Sequence, residues 1–114
     1  MEMSRADMLD RLSIVLLKVA HGGQEHLSEA RALAGEIWGE SGHWLTDLVR
    51  VNAAIWQLEA ALKSGHETNV PMIELGRRAV DIRNWNRERL AIRNAITAAT
   101  GSGWPETKRE HLAE

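Results

Sequence analysis

The chain has 114 residues, a formal net charge of −2, and no cysteine, phenylalanine or tyrosine. That length fits one domain with one modest core. The small negative charge excludes a global attraction to nucleic acid or to an acidic membrane, and the missing cysteine excludes disulfides and thiolate metal sites.

Bulky packing must come from Trp38, Trp44, Trp56, Trp85 and Trp104, together with leucine and isoleucine. Only two prolines occur, and the valines and isoleucines recur at helical rather than alternating spacing, so an all-α fold is expected. No apolar run approaches the roughly 18–20 residues of a membrane span. Met1-Glu2-Met3-Ser4 lacks the basic start and apolar stretch of a signal peptide. A cytoplasmic location without membrane association is the expectation.

The first predicted helix runs from about Arg5 to Ala20, with Ser4 as N-cap, Asp7 near the positive end of the dipole, and His21-Gly22-Gly23 as the stop. Leu9, Leu12, Leu16 and Val19 form one stripe, Ile14 and Leu17 lie on a second face, and only Asp7, Arg11 and Lys18 mark a solvent side. A helix this apolar should lie between neighbours. The second runs from about Gln24 to Gly39 with a thin stripe of Leu27, Ala30, Ala34 and Ile37. The third spans about His43 to Ser64, with Gly65 as its C-cap glycine. Its stripe reads Leu45, Leu48, Asn52, Ile55, Trp56, Glu59, Leu62, so that Asn52 and Glu59 fall near the stripe's centre.

The fourth predicted helix is capped by Asn69 or Val70, has Pro71 at its first position, and runs to about Thr100 before Gly101-Ser102-Gly103. Its stripe reads Met72, Leu75, Ala79, Ile82, Asn86, Leu90, Arg93, Thr97, with Arg89 at the edge. The expected architecture is an antiparallel bundle of about four helices over residues 1–102, with a long hairpin between the third and fourth. A tail over 103–114 would dock through Trp104 or stay loose.

Three segments are similar to bacterial helical families of unknown function, DUF4254 and DUF6165. Asp10-Arg11-Leu12-Ser13-Ile14-Val15-Leu16-Leu17-Lys18 resembles their opening D-[KR]-[IL]-[ST]-I-L-x-x-K, and His21 resembles a histidine that often follows it. Asn52-Ala53-Ala54-Ile55-Trp56-Gln57-Leu58-Glu59 resembles N-x-x-L-W-x-[IVL]-E, and Asn86-Arg87-Glu88-Arg89-Leu90-Ala91-Ile92-Arg93 resembles N-x-x-R-x-x-x-[KR]. The chain departs from the pattern at Ala60, where an acidic residue is usual, and at Thr97, where asparagine is usual. The resemblance implies no settled activity. It implies only a link to surface-glycan metabolism.

Helical spacing and resemblance converge on Asp10, Ser13, Asn52, Glu59, Asn86, Arg89 and Arg93 as a candidate site. A lone buried charge costs several kcal/mol, so these groups must be paired or open to water. In one reading they form a register-fixing network, with Glu59 paired to Arg89 or Arg93 and with Asn52 and Asn86 satisfying amides or each other. In the other they line a pocket whose arginines hold an anionic small molecule. The first favours a non-catalytic accessory or interaction protein, expected to form a homo-oligomer, in practice a dimer, because the second helix is thin and tryptophans lie on flanks. The second favours a small helical enzyme or an anion binder. By analogy of chemistry with helical chorismate mutases, Arg5, Arg11, Lys18, Glu59, Arg89 and Arg93 suit a dicarboxylate in type.

Other motifs carry less. His21 suits a helix C-terminus better than a general base. Glu40-Ser41-Gly42-His43 has the Glu-x-x-His spacing of helical di-iron sites, but only once and with a glycine inside it, so neither metal nor cofactor is expected. The arginines at 77, 78, 83, 87, 89 and 93 spread around the fourth helix instead of forming one stripe, which argues against nucleic acid; Arg77, Arg83 and Arg87 read as a solvated face. Trp56 reads as packing, Trp85 as a dimer contact or pocket wall.

Overall fold

The computed structural model describes residues 3–37, 42–67 and 71–101. It is an all-α bundle of four helices: α1 (Arg5–Ala20), α2 (Leu27–Glu36), α3 (Gly42–Glu67) and α4 (Met72–Thr100), with one 3-10 turn at Gln24–His26. Among the described residues there is no strand, and no helix is long and apolar enough to cross a membrane. The tail at 103–114, the candidate caps Asn69 and Val70, Glu40 and Ser41 of the Glu-x-x-His segment, Trp38 and Trp104 lie outside the described residues.

α1 starts and stops where its sequence directs. Ser4 Oγ accepts from the Asp7 amide at 3.1 Å, filling one of the orphan donors of the first turn. At the other end Gly22 adopts φ +99. Its N–H donates to Val19 O at 3.0 Å, and the Gly23 N–H donates to Lys18 O at 2.8 Å. These are the paired bonds of a Schellman motif, which needs a residue that tolerates the left-handed region. α1 is the central helix, packed against α2, α3 and α4.

The second predicted helix is shorter than its pattern suggested. Residues 24–26 form a 3-10 turn, and the α-helix begins at Leu27 and ends at Glu36, with Ile37 as C-cap. The turn follows from the tight exit at Gly23, which leaves no room for a full α turn before the chain folds back on α1. Two side chains fix α2 to α1. Arg11 forms a two-pronged pair with Glu29, Nε to Oε2 at 2.9 Å and Nη2 to Oε1 at 3.0 Å. Arg5 Nη1 donates to the Glu36 carbonyl at 2.9 Å, placing a cation at the negative end of α2. Arg11 is therefore an interhelical clip, not simply a solvent marker.

α3 continues through Gly65 to Glu67, so Gly65 is helix interior rather than a C-cap. α4 begins one residue later than expected: Pro71 is the N-cap, with ψ 142, and its carbonyl accepts from the Glu74 and Leu75 amides. Gly101, at φ +66, closes α4 as its pattern indicated.

The core joins Ala6, Leu9, Leu12 and Val15 of α1 with Ala30, Ile37, Leu48 and Ile96, and Met8, Leu33, Trp44, Leu45 and Ile92 pack around it. It sits where the start of α3 and the end of α4 meet α1 and α2. Helix lengths explain what lies beyond. At 1.5 Å per residue, α1 is about 24 Å long, α3 about 39 Å and α4 about 44 Å. α1 is thus shorter than either arm of the α3–α4 hairpin: from the Asp10–Arg89 pair it is 10 residues to Ala20 but 17 to Met72, so the start of α4 runs about 10 Å beyond it. The outer face of α4 is correspondingly open, with Met72 at 83% and Ile73 at 80% exposure.

Candidate functional site

Beside the core, at the height of Leu9 and Leu12, α1, α3 and α4 each contribute polar groups to a single cluster. Asp10 stands in the apolar stripe of α1 and is 2% exposed. Four donors approach its carboxylate. Asn52 Nδ2 donates to Oδ1 at 2.9 Å. Arg89 Nε lies 3.0 Å from Oδ1 and 3.1 Å from Oδ2, and its Nη2 donates to Oδ2 at 2.5 Å. Arg93 Nη1 also donates to Oδ2 at 2.5 Å. A carboxylate offers about four lone-pair positions, so Asp10 is saturated.

The bonds continue outward. Asn52 Nδ2 also donates to Ser13 Oγ at 2.7 Å, and Ser13 Oγ donates to the Asp10 carbonyl at 2.6 Å. The second arm of Arg93, Nη2, binds Asp7 Oδ1. Among the described residues no buried side-chain nitrogen or oxygen lacks a partner. Two carboxylates face two guanidiniums, so the cluster is neutral. Burial alone would push the Asp10 carboxyl up. The Arg89 hydrogen bonds and charge, with help from Asn52 and Arg93, outweigh it and hold the group below its ordinary range.

Five of the seven expected site residues thus meet: Asp10, Ser13, Asn52, Arg89 and Arg93. The other two do not. Glu59 is exposed and pairs with neither arginine, because both arginines turn to the carboxylates of α1. Asn86 is half-buried and joins none of the cluster's hydrogen bonds; Asn52 turns instead to Asp10 and Ser13. Asp7 marks the solvent side of α1 in the sequence, and its side chain is 46% exposed, yet it holds Arg93. The signal was present: carboxylates at i, i+3 on α1 answer arginines at i, i+4 on α4.

His21 is not a base held by an acid. Its ring joins no carboxylate among the described residues and stacks on Trp56, centroids 4.6 Å apart and planes 6° from parallel. Beside that stack a surface cavity of about 310 Å³ is lined by Trp56, Glu59, Ala60 and Lys63. Trp85 lies under Arg50, whose guanidinium carbon is 5.8 Å from the ring centre, and Arg50 pairs with Glu88 at 3.0 Å. Among the described residues no group of three histidine or carboxylate side chains has the geometry to hold a metal ion. Comparison with protein-family models, curated proteins and solved structures finds no match to this chain.

Proposed function

We propose that this chain is a non-catalytic accessory or interaction protein, working as a homo-oligomer, and that the Asp10 cluster is a structural clasp locking α1 against the α3–α4 hairpin. One observation carries the reading. Arg89 and Arg93, the two cations suited to an anion, are already neutralised by Asp10 and Asp7. A ligand anion would have to displace a buried carboxylate, leaving that charge unpaired at a cost of several kcal/mol. A clasp linking residues about eighty positions apart fixes which faces meet, a use of buried ion pairs known from helical assemblies. A connection to surface-glycan metabolism rests on the motif resemblance alone.

The test pairs wild type with Arg93→Met. The substitution should lower stability by roughly 2 kcal/mol, since Asp10 loses one donor and Asp7 its partner. Inorganic phosphate and a nucleoside diphosphate, each at constant ionic strength, should leave the melting temperature of both forms unchanged. Stabilisation of wild type that Arg93→Met abolishes, with the helical circular dichroism retained, would replace the clasp with an anion site.

A further inference from the structure

The α3 stripe that carries Asn52 continues beyond it. Trp56, Glu59, Ala60 and Lys63 follow along the same face of α3 and line the surface cavity beside the His21–Trp56 stack. Trp56 is half-buried beneath His21, while Glu59, Ala60 and Lys63 are exposed. Glu59 and Lys63 are one turn apart, the spacing at which side chains pair along a helix. Among the described residues neither enters an ion pair. A carboxylate and an ammonium are therefore displayed side by side, with the methyl of Ala60 between them in sequence, on a face that no helix of the described residues covers.

We propose that this face is a self-complementary docking surface for a second copy of the chain, the two α3 helices running antiparallel about a two-fold axis at the level of Ala61. The proposal rests on the oligomeric reading above and supplies its interface. In a two-fold contact, residue i meets j and j meets i. Glu59 and Lys63 stand two residues to either side of position 61, about 3 Å each along the helix. The axis therefore sets Glu59 of each copy against Lys63 of the other, giving two reciprocal ion pairs. Ala60 lets the backbones approach at ordinary interhelical distance, and the second helix fills the cavity against Trp56. The other open face, on α4 around Met72, Ile73 and Val80, does not share this property. Its exposed neighbours include Arg77 and Arg83, and self-pairing there would bring like charges together.

Charge reversal tests this directly, with sedimentation equilibrium as the readout and circular dichroism as the check on folding. Wild type should be a dimer. Glu59→Lys alone, or Lys63→Glu alone, turns both attractive contacts into repulsive ones and should weaken the dimer about tenfold or more. The double reversal, Glu59→Lys with Lys63→Glu, restores complementarity and should recover wild-type affinity to within a few fold. A wild-type monomer at all concentrations would overturn both this inference and the oligomeric reading. A dimer indifferent to the single reversals would overturn this interface and leave the oligomeric reading standing. Weakening by the single reversals without recovery in the double would overturn the antiparallel pairing.

Discussion

Asp10→Asn removes one charge from the centre of the cluster and changes almost nothing in size. The consequences follow from the donors around it. The carboxylate accepts from Asn52, Arg89 and Arg93. An amide can accept at one oxygen only, and its NH₂ would face guanidinium donors. Arg89 and Arg93 would be left with Asp7 as their remaining counter-charge. Breaking a buried ion pair from one side costs about 3–5 kcal/mol. The arginine side chains here keep 25% and 17% of their exposure, so they retain a route to water, and the lower end, about 3 kcal/mol, applies. For a chain of this size that is a fall of about 10–15 °C in Tm, or roughly 1.5–2 M in the urea midpoint at unchanged m. Urea titration followed by circular dichroism measures it. The triple replacement Asp10→Leu, Arg89→Met, Arg93→Met should cost less than Asp10→Asn alone, because it removes the charges together. A loss below about 1 kcal/mol for Asp10→Asn, or a triple variant less stable than the single, would refute the clasp.

Two further outcomes follow from the same geometry. The Asp10 carboxyl titrates below its ordinary value in the folded chain, so its contribution is fully present above the unfolded-state pKa, near 4. Stability should fall as pH drops through about 4 and towards the lower folded value, and the Asp10→Asn variant should show a shallower acid limb in urea titrations repeated across pH. Two glycine-to-alanine changes should have opposite signs: Gly22→Ala, at φ +99, costs about 1 kcal/mol through a left-handed residue with a Cβ, whereas Gly76→Ala, inside α4 with open space around it, gains up to about 1 kcal/mol from helix propensity. Equal effects in the two melting curves would count against the Schellman exit of α1.

Much of the fold was written in local chemistry. Ser4 and the glycine pair at 22 and 23 set both ends of α1, and Gly101 set the end of α4, because caps depend on nearby backbone groups alone. The 3-10 start of the second helical segment was not legible, since it depends on how the exit from α1 docks against that helix. Gly65 misleads because a glycine ends a helix only where the chain turns, and α3 continues past it to Glu67. Asp10, Ser13, Asn52, Arg89 and Arg93 were legible because each is polar at a position its helix turns inward. Partner choice was not. Periodicity gives the angle of a side chain around its helix, while pairing also depends on its height along the bundle, which the sequence encodes only through where the other helices stop.

Glu59 shows what that distinction means for function. It shares the stripe of Asn52, and the helical wheel treats the two alike. Their fates differ: Asn52 is buried against Asp10 and Ser13 of α1, whereas Glu59 is exposed. At Asn52 the stripe meets α1, and Asp7, Asp10, Arg89 and Arg93 pair among themselves. At Glu59 and Lys63 the same stripe presents one exposed charge of each sign, neither in an ion pair among the described residues. In the reading proposed above, the first arrangement holds the bundle in one register and leaves little for a ligand. The second is complementary to itself under a two-fold rotation. Changes to Asp10, Arg89 or Arg93 should therefore read out in folding, and changes to Glu59 or Lys63 in association, with little crossover between the two.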